Sequence, residues 1–234
     1  MQVGLSRRYS KKFTYSVAYT WSKVLADASS ATDAPESLLD FHRERSHASF
    51  DHNQVLTFSY VYYLPLLGNR VRALREVAGG WQLSGITHFQ SGDWLTPLIS
   101  TPTGARRPNR VGDVKYFDPR QIQTLKGGNS QQETGNFYFD PTPGTTFIAP
   151  PPTQYGNSAP YIIRGPGIQN WDLSLFKNFK PREKVNVQLR GEFFNVFNHT
   201  NFHDPDVTAS DLAYGTVSAS GPPRLTQIAV KLVF

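Results

Sequence analysis

Residues 13–22, FTYSVAYTWS, constrain the fold of this chain more than any other stretch. The odd positions are Phe13, Tyr15, Val17, Tyr19 and Trp21, and the even positions are Thr14, Ser16, Ala18, Thr20 and Ser22. In a chain that is 38% apolar, five apolar odd positions in a row arise by chance at roughly the 1% level, so the period of two is signal. Successive side chains on an extended chain point to opposite faces. The stretch is predicted to be a strand with one aromatic face and one face of small, polar residues.

The same device recurs. Val3, Leu5 and Tyr9 continue its phase upstream, joined through a short hairpin at residues 10–12. Leu56, Phe58, Tyr60, Tyr62 and Leu64 alternate with Thr57, Ser59 and Val61 until Pro65 ends the run. Trp81, Leu83 and Phe89 share a face across Gly85 and Thr87, and Ile86 breaks the pattern. Trp171, Leu173 and Leu175 are followed by the turn KPRE, and Val185, Val187, Leu189, Gly191 and Phe193 form the next strand. A last strand runs from about Arg224 to Phe234, giving seven.

The connections between these strands alternate in length. Short or moderate links fall near residues 10–12, 65–80 and 180–183; long ones span 23–53, 92–163 and 198–222. Long links at one end and short ones at the other are the asymmetry of an outer-membrane barrel, with extracellular loops and periplasmic turns. Strands of about ten residues also suit a tilted crossing of the bilayer. The polar face carries Thr, Ser, Gln and Asn where the outside of a soluble sandwich carries Lys and Glu. The expectation is an all-β fold: an antiparallel transmembrane β-barrel segment, about seven strands of a larger barrel, occupying residues 1–234 as one domain. Phe13, Tyr15, Tyr19, Trp21, Phe58, Tyr60, Tyr62, Trp81 and Trp171 are expected to form its lipid-facing aromatic girdle.

Composition narrows the alternatives. Aromatics make up 13% of residues, too many for a disordered chain. No apolar run approaches the ~18 residues of a membrane-spanning helix. Cysteine is absent, which removes disulfide frameworks, thiolate metal sites and thiol nucleophiles. The 24 basic and 18 acidic residues leave a charge of +6, but no Lys/Arg stripe of the kind a nucleic-acid face shows. The opening MQVGLSRRYSKKF lacks the apolar core of a secretory signal, so either the chain is cytoplasmic or its beginning is missing.

Several blocks in order, SVAYTWSK, GGWQLSGI, RGPGIQNWDLSLFKNF, RGEFFNVFNHTNF and AVKLVF, resemble the carboxy-terminal part of TonB-dependent outer-membrane receptors of the Oar-like type. The resemblance covers nearly the whole chain and is densest over residues 164–202 and 224–234. It implies a receptor with a signal peptide, an amino-terminal regulatory-like domain, a plug and a barrel of about 22 strands. Of these, this chain would carry the last seven strands, the signal, plug and first strands being absent. Implied partners are outer-membrane lipid and lipopolysaccharide, the barrel insertion machinery, the TonB system acting through the plug, and an extracellular ligand. Ile228, Val230, Leu232 and Phe234, alternating at the carboxy end, resemble the signal read by that machinery.

Other constellations carry less. His42, His47 and His52 sit near Asp40, Glu44 and Asp51, but a spacing of five makes neighbours diverge on helix and strand alike, so scattered loop histidines are expected rather than a metal site. Asp172 and Arg190 lie on the polar face of adjacent strands, and one register opposes them as a lumen polar pair, with Glu192 one step further on. No cleft, nucleophile or base accompanies them, so no enzyme activity and no cofactor is expected. RGPG at 164–167 reads as a loop-to-strand junction, NHT at 198–200 carries no glycosylation meaning in a bacterial barrel, and residues 70–78 suggest a short helix in a turn. Trp94, Tyr116, Tyr138 and Tyr155 are loop aromatics available for a sugar or peptide ligand. The competing readings are a soluble, secreted β-sandwich that binds carbohydrate, and a small porin-like channel assembled from fragments.

Overall fold

A computed structural model describes residues 1–10, 12–29, 35–65, 79–102, 104–126, 131–182 and 185–233. Seven antiparallel strands form its main sheet: β1 (Gln2–Ser10), β2 (Phe13–Trp21), β3 (Gln54–Tyr63), β4 (Trp81–Gln90), β5 (Ile168–Arg182), β6 (Val185–Phe194) and β7 (Leu225–Val233). Each pairs with its sequence neighbour, in the order β1 to β7. This is an up-and-down meander, the arrangement that short links force on antiparallel strands. The sheet is open, with β1 and β7 at its edges among the described residues.

The register gathers the aromatic side chains onto one face, with Arg7, Gln54, Thr87 and Lys177 among them. Phe13 opposes Tyr62, Tyr15 opposes Tyr60, Val17 opposes Phe58 and Tyr19 opposes Leu56. Across the next pairs Leu56 meets Phe89 and Phe58 meets Thr87, then Thr87 meets Trp171 and Trp81 meets Lys177. All nine expected girdle aromatics, Trp21 included, therefore share one face. Their rings pack edge-to-face or stacked, Phe58 on Tyr60 at 5.2 Å and Phe89 on Trp171 at 5.6 Å. Such pairs contribute about 0.5–1.5 kcal/mol each beyond burial. Lys177 lies on the same face near the short-turn end, its ammonium 5.7 Å from the Trp81 ring centre and 5.3 Å from that of Phe179 and donating to the Gly79 carbonyl. Lys177 is only 3% exposed, so the Gly79 carbonyl and the two rings stand in for the water its charge has lost.

The opposite face carries mostly small and polar residues and forms a trough of about 590 Å³ lined by Ser6, Thr14, Ser16, Ser59, Ser84 and Asp172 together with Val61, Ile86 and Phe194. Ile86, which broke the alternation, projects onto this face and stays exposed. Asn178 opposes Gln188, and the two side chains are hydrogen-bonded at 3.1 Å.

The structure differs from the expectation in three places. The strand predicted to end at the KPRE turn runs on to Arg182, with a register shift between Phe179 and Arg182. It also begins earlier, at Ile168, because its first residues pair with Gln90 and Phe89. Residues 195–197 leave the sheet, since Asn195 adopts a positive φ of 49° that no strand tolerates. Residues 70–78 and Phe234 lie outside the described residues.

Candidate functional site: the loop body above the sheet

The long connections, residues 22–53, 91–167 and 195–224, all leave the same end of the sheet and fold together. Every apolar side chain of the described core belongs to them: Ala48, Phe137, Phe139, Phe147, Ile163, Tyr214 and Val217. Phe139 meets Tyr214 edge-to-face at 5.2 Å, and Leu95, Val114, Tyr138 and Val207 pack around them. Short two-stranded ribbons frame this core, among them Asn109–Arg110 with Phe147–Ile148, Gln123–Lys126 with Gln132–Gly135, and Ile99–Thr101 with Gly104–Arg106. Burial pushes the Tyr138 hydroxyl up to about 12 and raises that of Tyr214 further, with the carboxylates of Asp140 and Asp206 adding to the latter. Sequence reasoning missed this core. Its signal was the alternation of Phe137 and Phe139 around Tyr138, a run too short to stand out.

The body joins the sheet at a neck where two chain segments touch backbone to backbone. A Cβ on Gly92 would overlap the Gly165 carbonyl, and one on Gly167 would lie 2.8 Å from the Gln90 carbonyl. This is why RGPG and SGDW carry glycine at those positions. RGPG is the junction foreseen, Ile163–Arg164 pairing with Trp94–Leu95 just before β5 begins. Arg164 is its hub. Its guanidinium lies 5.0 Å from the Trp94 ring, donates to Asn53 Oδ1 at 2.7 Å, and its backbone N–H donates to the Tyr116 hydroxyl at 2.9 Å. His47 stacks on the same indole at 4.1 Å and bonds the buried Asp51 at 2.8 Å.

Of the loop aromatics singled out as ligand contacts, three therefore serve the neck. Trp94 is covered by His47 and Arg164, Tyr116 accepts from Arg164, and Tyr138 packs edge-to-face on Tyr116 at 5.4 Å. The histidines diverge: His47 turns to Asp51, His52 to Gln90 and Asp93, and His42 is exposed on a 3₁₀ turn. Asp204 packs against Gly165, and partial burial there, followed by the charge of Asp93, raises its carboxyl above the usual range.

Tyr155 alone faces an open cleft, of about 570 Å³, between the first and second long loops. The floor is an ion cluster. Arg107 donates to both oxygens of Glu44, at 2.6 and 2.8 Å, and its Nε donates to Glu36 at 3.1 Å. Its backbone N–H also donates to Glu36, at 2.9 Å. Removing one member of such a buried set strands the rest and costs about 3–5 kcal/mol. The cluster ties residues 36–44 to residue 107, and so holds the two loops at a fixed separation.

On the far side of the mouth, asparagines do the stitching. Asn195, buried at positive φ, bonds the His199 backbone through both its oxygen and its nitrogen, at 2.9 and 2.8 Å. Asn198, also at positive φ, accepts from the Arg224 N–H, and Asn201 accepts from the Gln169 N–H. Asparagine tolerates this conformation and carries a backbone-like amide, which accounts for the polar residues of NVFNHTNF. The Asp172–Arg190 pair does not form. The register opposes Arg190 to Phe176 and Glu192 to Ser174. Arg190 lies over the Phe176 ring at 4.9 Å and approaches Glu192 at 3.7 Å, whereas Asp172 accepts from the Asn195 N–H at 3.0 Å. Alternation placed both on the polar face but left the register free.

The family model of the outer membrane beta barrel domain matches residues 1–227. The chain belongs to that family. Neither the curated proteins nor the solved structures gave a match to it. Membership puts this outer-membrane barrel chain in the outer membrane and disfavours the soluble sandwich, which the strands also fail to build: they form one sheet, with no second sheet packed on its aromatic face among the described residues. On the barrel's edge strand β7, Ile228, Val230 and Leu232 lie on the apolar face and are each more than half exposed.

Proposed function

We propose that this outer-membrane barrel is the carboxy-terminal barrel portion of a TonB-dependent receptor of the Oar-like type, working in nutrient uptake and not as an enzyme. The observation that carries this reading is the folded loop body set over one end of a polar trough. A general pore needs an open mouth, whereas a receptor needs a fixed surface that captures a ligand before it enters. The order of motif blocks shared with such receptors supports the same reading.

In this reading the aromatic face contacts lipid and lipopolysaccharide, and the polar face lines the lumen. Backbone groups left unpaired in hydrocarbon cost several kcal/mol each, so the edges of β1 and β7 pair with further strands that complete the wall. Ile228, Val230 and Leu232 present the face read by the insertion machinery, and the sequence carries the same alternation on to Phe234. Ligand release is driven by the TonB system acting on a plug within the lumen.

The test is in cells. The native gene is expressed with a photo-reactive residue in the plug region of its product and cross-linked in strains with and without TonB. A TonB adduct, together with growth on a nutrient that needs both the gene and TonB, is the expected result. Growth on that nutrient that persists without TonB would overturn the reading.

A further inference from the structure

We infer that the cleft between the first and second long loops is a binding site for a neutral oligosaccharide. The inference rests on the receptor reading and names its ligand class.

At about 570 Å³ the cleft is within the range of small-ligand sites. Its chemistry selects among ligands. The lining includes the carboxylates of Asp27, Glu36 and Glu44 and the guanidiniums of Arg106 and Arg107, and Arg43 adds a third cation 3.8 Å from Glu36. The formal charges cancel. An anionic or cationic ligand would gain no net neutralisation, whereas a polyhydroxylated one meets donors and acceptors side by side. Planar forks such as Asp27 and Arg106 suit the paired hydroxyls of a sugar ring.

Apolar platforms flank these forks. Tyr155 is 47% exposed, and the guanidiniums of Arg43 and Arg106 lie 5.5 and 5.8 Å from its ring centre. Its position is fixed by Gly156, where a Cβ would overlap the carbonyls of Arg107 and Pro108, and by the Arg43 guanidinium, which donates to the Gly156 carbonyl. Tyr161 lines the same cleft, next to Pro160. Tyr161 has a positive φ of 52°, with its N–H held by Thr96 Oγ1 at 3.0 Å. A bulky residue rarely adopts that conformation, and such strain gathers at ligand clamps. Two tyrosines beside balanced, forked polar groups match the two surfaces of a sugar, its C–H face and its hydroxyl rim.

Isothermal titration of the full receptor in detergent, with cellotriose, maltotriose, xylotriose and mannotriose as probes, tests the inference. Trigalacturonate and tetraglycine serve as the charged and peptide counterparts. Saturable binding of a neutral trisaccharide, weakened about tenfold by Tyr155→Ala and by Asp27→Asn, is expected, a tenfold loss being about 1.4 kcal/mol. Both side chains are at the surface, so the variants keep the heat-modifiable migration of the folded barrel. Absence of binding by every neutral trisaccharide, tighter binding of either counterpart, or parental affinity in both variants would each overturn the inference. Binding needs no energy source, so the result stands apart from TonB dependence, and failure of this inference is distinguishable from failure of the receptor reading.

Discussion

Tyr138 and Arg107 show how single side chains hold the loops in water. Both sit where loops cross, and each stays in place by meeting a partner from another stretch of chain. For Tyr138 the environment is legible by titration. An unfolded tyrosine ionises near 10, and the folded one near 12. Between those values the unfolded chain has released the proton that the folded chain retains, so stability falls as pH rises. Burial also raises the hydroxyl of Tyr116, and we expect the 295 nm absorbance of the folded protein to show Tyr138 and Tyr214 ionising only above about pH 11 and together with loss of loop protection from protease. Tyr138→Phe should flatten part of that loss. A single step near pH 10 for all tyrosines in the folded protein would contradict the burial described for them.

At the scale of strands, Gly85 decides how closely β3, β4 and β5 pack. A Cβ there would lie 2.7 Å from the Tyr60 ring and 2.9 Å from the Asp172 carbonyl, so a ring and a backbone would both have to move. Gly191 would meet only the Phe193 ring, at 3.5 Å. Gly85→Ala is therefore expected to cost about 1–3 kcal/mol and Gly191→Ala much less. The urea midpoint of the heat-modifiable band measures both, and equal shifts would refute the argument. The strands themselves were legible because a period of two, repeated with one sign, leaves little choice of secondary structure. Register was not: shifting β6 by any even number of residues against β5 preserves every face, and a shift of four would oppose Arg190 to Asp172, so sequence alone had no means to keep them apart. The loop ribbons, two to four residues long, carry no periodicity to read. They are set by contacts such as Arg107 with Glu44 that join residues 63 apart in sequence. The neck was half legible. RGPG was recognised as a junction, but Trp94, Tyr116 and Tyr138 looked like free aromatics because nothing local announces the arginine that gathers them.

The whole molecule divides into two media. Trp21, Trp81 and Trp171 lie on the aromatic face of the sheet, and Trp94 lies in the neck beneath His47. Variants retaining one tryptophan each, reconstituted in brominated lipid, should show strong quenching for the first three and little for Trp94. Equal quenching of Trp94 and Trp171 would mean that the faces are assigned wrongly. The placement of the buried apolar core in the loops has a thermal consequence. Burial away from water carries a large heat capacity, so the strength of the loop core curves with temperature and weakens on cooling. A side chain facing hydrocarbon exchanges one apolar neighbour for another and lacks that curvature. One chain thus answers to two temperature laws, and in the cold its loop body loosens while its seat in the membrane does not.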